Sequence, residues 1–150
     1  MEDARLNGAE GLPREKPLER QMNGRILVVE DTPDIQRLLD LLLRTTGAEV
    51  VIAGNGTEGV RAVEASVAAK RPFDLILMDI QMPEMDGYTA TKILRKQGFR
   101  GPIIALTAYA MEGDRVRCLA AGCTDYLEKP IDHARLLTMC TGYMAITRQG

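Results

Sequence analysis

Five short apolar runs punctuate the chain: Arg25 to Val29, Glu49 to Ala53, Leu75 to Met78, Ile103 to Leu106 and, least marked, Tyr126 to Leu127. They are continuously apolar rather than alternating, the pattern of strands buried on both faces. Between them apolar residues recur every three or four positions. The sets are Ile35, Leu38, Leu39 and Leu42; Val60, Val63 and Val67; Ala90, Ile93 and Leu94; Val116, Leu119 and Ala120; and Leu136, Leu137, Cys140 and Met144. That spacing predicts helices, each with one core-facing stripe. Strands alternating with helices predict an α/β domain whose parallel sheet is covered on both sides. Thr32 before Pro33 signals a capped helix start, and Gly47 and Gly98 suit helix ends.

Met1 to Asn23 mix acids and bases with Gly8, Gly11, Pro13 and Pro17 and hold no hydrophobic period. They read as an N-terminal tail or linker, leaving one domain over 24–148. The length of 150 residues and an apolar fraction of 45% fit one compact unit with a real core. A net charge of −2 supplies no field that would draw nucleic acid or anionic lipid, and no basic patch compensates. No apolar run approaches the roughly 18 residues of a spanning helix, and the N-terminus lacks a signal peptide's apolar core, so a cytoplasmic location is expected. Cys118, Cys123 and Cys140 lack paired spacing and read as small core hydrophobes. His133, the only histidine, is expected at the surface or in a first helical turn.

The chemistry stands where the strands end. Glu30 and Asp31 follow the first run, Asp79 the third, Thr107 the fourth and Lys129 the fifth. Each alone has an ordinary explanation: a turn former, a dipole-favoured acid before a helix, a cap, an exposed lysine. In an open parallel sheet, however, all of these ends meet at one rim, in the crevice where such folds place their functional groups. Carboxylates crowded there raise one another's pKa unless a cation neutralises them, and Mg2+ is the natural partner of hard oxygen ligands. An ammonium and a hydroxyl beside them suit an incoming phosphoryl group, which makes Asp79 a candidate nucleophile. In phosphoryl transfer the protein chiefly positions the group and neutralises its charge.

With "VVED", "LILMDIQMPEMDG", "IIALTA" and "DYLEKPI" in that order, residues 24–148 resemble the receiver domain of two-component response regulators. The resemblance implies a flavodoxin-like (βα)5 fold, a doubly wound parallel sheet of strand order 2-1-3-4-5, for which a chemotaxis receiver is a standard example. It implies that Asp79 accepts a phosphoryl group and that Lys129 and Thr107 assist. Glu30, Asp31, Asp79 and the backbone carbonyl of Gln81 would hold Mg2+. Thr107 and Tyr126 would form the switch, and Gln81 and Tyr109 would tune the lifetime of the phosphoryl group. A cis Lys129–Pro130 bond is also implied. The expected donor is a histidine kinase or a histidine phosphotransfer protein, with a homodimer among the allowed partners and no direct contact with nucleic acid or membrane. The domain is expected to be a signalling phosphoacceptor rather than an enzyme, with output through partners because no effector domain fits in the remaining residues. The wording of the motifs is nearest to receivers attached to hybrid sensor kinases; a stand-alone regulator and a hybrid module both remain open.

A competing signal is "GNGTEG", a G-x-G-x-x-G over Gly54 to Gly59, which by pattern alone suggests a nucleotide-binding oxidoreductase domain. Its context opposes that reading. The fingerprint belongs in the first strand-to-helix turn, which here holds Glu30 and Asp31, and the glycines better suit a tight turn with Thr57 capping the next helix.

Overall fold

The computed structural model describes residues 23–108 and 112–149. Strands and helices alternate throughout. They are β1 (Arg25–Val29), α1 (Pro33–Arg44), β2 (Glu49–Ala53), α2 (Gly56–Ala68), β3 (Leu75–Asp79), α3 (Gly87–Lys96), β4 (Ile103–Thr107), α4 (Glu112–Ala121), β5 (Asp125–Glu128) and α5 (His133–Gln149). All strand pairs are parallel, in the order β2-β1-β3-β4-β5. This is the flavodoxin-like arrangement, and its switch point lies between β1 and β3, from which the chain winds in opposite directions.

Apolar residues fill both faces of each central strand, and neighbours in sequence feed opposite cores. Ile26, Val28, Leu75, Leu77, Ile104 and Leu106 face a cluster completed by Leu39 and Leu43 of α1 and Leu136, Cys140 and Met144 of α5. Leu27, Val29, Ile76, Met78, Ile103 and Ala105 face the other, completed by Val63 of α2, Ala90 and Leu94 of α3, and Cys118 and Ala121 of α4. A strand sandwiched in this way has no polar face to show, which is why its sequence runs apolar without alternation. The three cysteines are buried free thiols within these cores. His133 is exposed and opens α5.

Several local expectations need correction. Thr32 takes the extended cap conformation ahead of Pro33 but makes no side-chain cap bond; its own N–H is turned to the Glu30 carboxylate at 3.0 Å. Thr57 does not cap α2. Asn55 does, accepting the Glu58 N–H at 2.9 Å, while Glu58 Oε1 accepts the Gly54 N–H at 2.8 Å. That carboxylate occupies the helix N-terminus where a pyrophosphate would have to sit. Gly56 and Gly59 serve close packing: a Cβ on Gly59 would stand 2.8 Å from Val29 Cγ2, and one on Gly56 3.0 Å from Met85. In α4 the residues Val116, Leu119 and Ala120 form a real helix but point outward, and Cys118 and Ala121 face the core. Periodicity located the helix and mistook its buried side, because a short helix with small core residues has a weak stripe. Val67 of α2 is likewise exposed. Gly47 and Gly98 have φ of 95° and 101°, the left-handed geometry of helix ends. The Lys129–Pro130 bond is cis.

Candidate functional site: an acidic cluster at the strand ends

Each functional side chain sits at the carboxyl edge of a strand. β3 runs one residue past its apolar run, so Asp79 is the last strand residue and is buried; Thr107 similarly ends β4 and is buried. Glu30 follows β1, anchored by its N–H to the Ala53 carbonyl at 3.0 Å, and is fully buried. Asp31 is half-exposed at the mouth. One carboxylate oxygen from each of Glu30, Asp31 and Asp79 lies within 4.8 Å of the others. Lys129, just past β5, reaches across the end of β4 to donate to Asp79 Oδ1 at 3.0 Å, with Glu30 Oε1 at 3.4 Å. The Lys129 amide donates to the Thr107 carbonyl at 2.7 Å, tying the two strand ends together.

The loop after β3 is drawn close to the nucleophile candidate. Gln81 N–H donates to Asp79 Oδ1 at 3.2 Å, and Gly87 N–H donates to the Ile80 carbonyl at 3.0 Å. Gly87 is required there, since a Cβ would come within 2.3 Å of the Asp79 carbonyl oxygen. Asp86 caps α3 by accepting the Thr89 N–H at 2.8 Å. The turn residues of "MPEMDG" thus pull the start of α3 against the Asp79 backbone. Gln81 itself is exposed.

Electrostatics follow from burial and crowding. Burial, then repulsion from Glu30, push the Asp79 carboxyl up to about 6, against the opposing pull of the Lys129 ammonium and the Gln81 N–H. Burial alone would lower Lys129, but its hydrogen bond and charge contact with Asp79, together with Glu30, outweigh that and raise it. Glu30 Oε1 is buried without a hydrogen bond. One ammonium therefore faces two of the three carboxylates, and a buried oxygen is left short of a donor. Three hard oxygen donors around a charge deficit fit a divalent cation such as Mg2+.

Thr107 and Tyr126 share a face of the sheet: Ala105 pairs with Tyr126 and Thr107 with Glu128, so the two side chains stand diagonally on neighbouring strands. Tyr126 is half-buried against the core on that side. Sequence reasoning therefore brought Glu30, Asp31, Asp79, Gln81, Thr107 and Lys129 to one rim, with Tyr126 beside it. Tyr109 lies outside the described residues, as do residues 1–22. Gln36 was not singled out, yet its amide nitrogen donates to the Glu30 carbonyl at 2.6 Å. A polar residue inside an amphipathic helix carries no signal of that contact.

A parallel sheet with an acid triad and a lysine at its switch point defines a class of phosphoryl-handling α/β signalling domains. The match to the response regulator receiver domain model extends over residues 26–141, and the chain belongs to that family. It is 38% identical over 120 residues to the signal transduction histidine-protein kinase BarA of Escherichia coli, covering 79% of this chain and 12% of that protein. It is 43% identical over 128 residues to hybrid signal transduction histidine kinase G of Dictyostelium discoideum, covering 82% of this chain and 4% of that one. The chain thus spans a small fraction of the length of these relatives. Among solved structures, the receiver domain of sensor histidine kinase PA1611 from Pseudomonas aeruginosa, with a magnesium ion coordinated in its active site cleft, is 41% identical at a TM-score of 0.73, covering 82% of this chain and 98% of that one. The receiver family and the Glu58-filled turn leave the oxidoreductase reading without support. Among the described residues no helix is long and apolar enough to cross a membrane.

Proposed function

We propose that this receiver domain takes a phosphoryl group from a phosphohistidine onto Asp79, the donor being a histidine kinase or a histidine phosphotransfer protein. The observation that carries this is the cluster itself: one carboxylate oxygen from each of three acids within 4.8 Å of the others and a lysine at 3.0 Å from Asp79. In the transfer, a carboxylate oxygen of Asp79 bonds to phosphorus, the phosphorus–nitrogen bond breaks, and the imidazole nitrogen leaves with the electron pair and takes up a proton. Mg2+, when bound, would neutralise charge on the transferring oxygens; Glu30, Asp31, Asp79 and the Gln81 carbonyl would hold it. Lys129 would move from Asp79 to a phosphoryl oxygen, and Thr107 would donate its hydroxyl to another. Gln81 and Tyr109 would set how open the phosphorus is to an in-line water, and so the lifetime. The domain then acts as a signalling phosphoacceptor whose partners read the altered surface. Its hybrid-kinase relatives favour a place within a multi-step relay.

The test is intact-mass measurement after incubation with acetyl phosphate and Mg2+. The parent gains one phosphoryl group and Asp79→Asn gains none, because an amide of nearly equal size is a far weaker nucleophile. Stoichiometric labelling of Asp79→Asn would place the acceptor elsewhere.

A further inference from the structure

Asp31 is the one member of the acid triad whose direction is not fixed by its own contacts. Among the described residues its carboxylate has no hydrogen bond, whereas Asp79 is held by Lys129 and Gln81, and Glu30 by the Thr32 N–H. Its aim into the cluster must come from the two peptide groups that flank it. The Asp31–Thr32 peptide is held by its N–H, which donates to Glu30 Oε2 at 3.0 Å. The Glu30–Asp31 peptide is held by its carbonyl, which accepts from Gln36 Nε2 at 2.6 Å. The peptide before it is anchored through the Glu30 N–H to Ala53. Only the amide nitrogen of a glutamine can face a carbonyl, so the donor is unambiguous. Gln36 is in turn fixed by α1, its own N–H donating to the Thr32 carbonyl at 2.9 Å.

Resting on the proposed metal-assisted function, we infer that Gln36 is a positioning residue for the cation site: by pinning the Glu30–Asp31 peptide it holds the Asp31 carboxylate toward the metal position. Without that bond the peptide can rotate about its flanking torsions and carry the Asp31 Cβ with it. A side chain that supports a ligand through one hydrogen bond typically accounts for about tenfold or more in metal affinity. Gln36 carries no charge, so its removal changes the geometry of the site and not its field. That separates its contribution from those of the acids.

The experiment uses the full chain and Mn2+, whose binding is followed by electron paramagnetic resonance, with Mg2+-dependent rise in melting temperature as a second readout. Gln36→Met keeps the length and removes the donor. The expected result is a Kd for Mn2+ raised about tenfold with the metal-free melt nearly unchanged. In an Asp31→Asn background, Gln36→Met should change the residual affinity no further, because the carboxylate it positions is gone. An unchanged Kd, or an equal loss of affinity with and without Asp31, would overturn the inference. So would loss of the folded transition in both Gln36→Met and Gln36→Leu, which would make the residue one that supports the fold. Failure of the parent itself to bind either ion would instead refute the metal-assisted reading beneath it.

Discussion

Lys129 Nζ lies 3.0 Å from Asp79 Oδ1 and 3.4 Å from Glu30 Oε1, one ammonium shared between two buried carboxylates. The sharing is incomplete compensation, and it leaves Asp79 with its carboxyl raised from 3.8 to about 6 by burial and by Glu30. Charge left uncompensated in this way is what the proposed cation would relieve.

The first consequence is a pH dependence of stability in the metal-free chain. Between pH 3.8 and about 6 the folded chain keeps a proton on Asp79 that the unfolded chain has released. Stability from this group is therefore full below the unfolded value, falls as pH rises through the folded one, and levels off above it. The loss is at most about 3 kcal/mol for a shift of this size. Asp79→Asn removes the titration. In urea unfolding with a chelator present, the variant should exceed the parent in stability at about pH 7.5 and lose that advantage at about pH 4.5. A difference that stays constant across the range would mean that Asp79 titrates as an ordinary carboxylate.

Removing a proposed ligand should uncouple the metal from stability. Asp31→Ala takes away one carboxylate at the open mouth of the site, where the core is not involved, so the fold should survive and the apo protein lose some repulsion. The parent should melt higher with millimolar Mg2+ than without it, by the mass-action stabilisation of any ligand that binds only the folded state, and Asp31→Ala should show little or none of that rise. Full retention of the rise would assign the metal elsewhere.

The two-face burial of the sheet was legible because Ile26 to Val29, Leu75 to Met78 and Ile103 to Leu106 are apolar at every position, and no other common arrangement buries both sides of a strand. The acid triad was legible for a related reason: in a parallel sheet the strand ends all lie at one rim, so residues far apart in sequence can be placed together without any coordinates. What escaped were contacts decided by side-chain direction. The Gln36 bond to Glu30, the Asn55 cap in place of Thr57, and the outward turn of Val116 and Leu119 each depend on how one turn of helix is rotated against the sheet. Spacing alone leaves that rotation free.

The glycines of the 54–59 turn give a test of packing against the nucleotide pattern they imitate. Gly59 lies against Val29, the last residue of β1, and an added methyl would come to 2.8 Å from Cγ2 of a side chain whose β-branch limits its escape. Gly59→Ala should destabilise by about 1–3 kcal/mol in urea unfolding. Gly142, inside α5 with nothing within 4 Å of a Cβ, is the opposite case. Gly142→Ala should stabilise by up to about 1 kcal/mol. Adding a dinucleotide should move neither midpoint; a dinucleotide-dependent rise lost in Gly59→Ala would restore the rejected reading.

The proposed switch pairs Thr107 with Tyr126, which stand on one face of neighbouring strands with Glu128 and Ala105 as their respective register partners. Thr107 is buried at the end of β4, and Tyr126 is half-buried beside it, lining a surface cleft with Leu127, Pro130 and Arg135. A hydroxyl drawn toward a phosphoryl oxygen leaves volume that an aromatic ring can enter, so the phosphoryl group shifts the balance between the two packings. A ligand shifts such an equilibrium only as far as it binds the two states differently, and in the proposed switch the Thr107 hydroxyl would supply the difference. Thr107→Ala should therefore still be labelled on Asp79, since the nucleophile, the acids and Lys129 are untouched, while the response near Tyr126 is blunted. Amide spectra with beryllofluoride and Mg2+, a stable stand-in for the phosphoryl group, measure this directly. In the parent, resonances of β5 and the start of α5 should move; in Thr107→Ala they should stay close to their unliganded positions although the analogue is bound. Identical shifts in both proteins would show that the coupling to Tyr126 runs through another group.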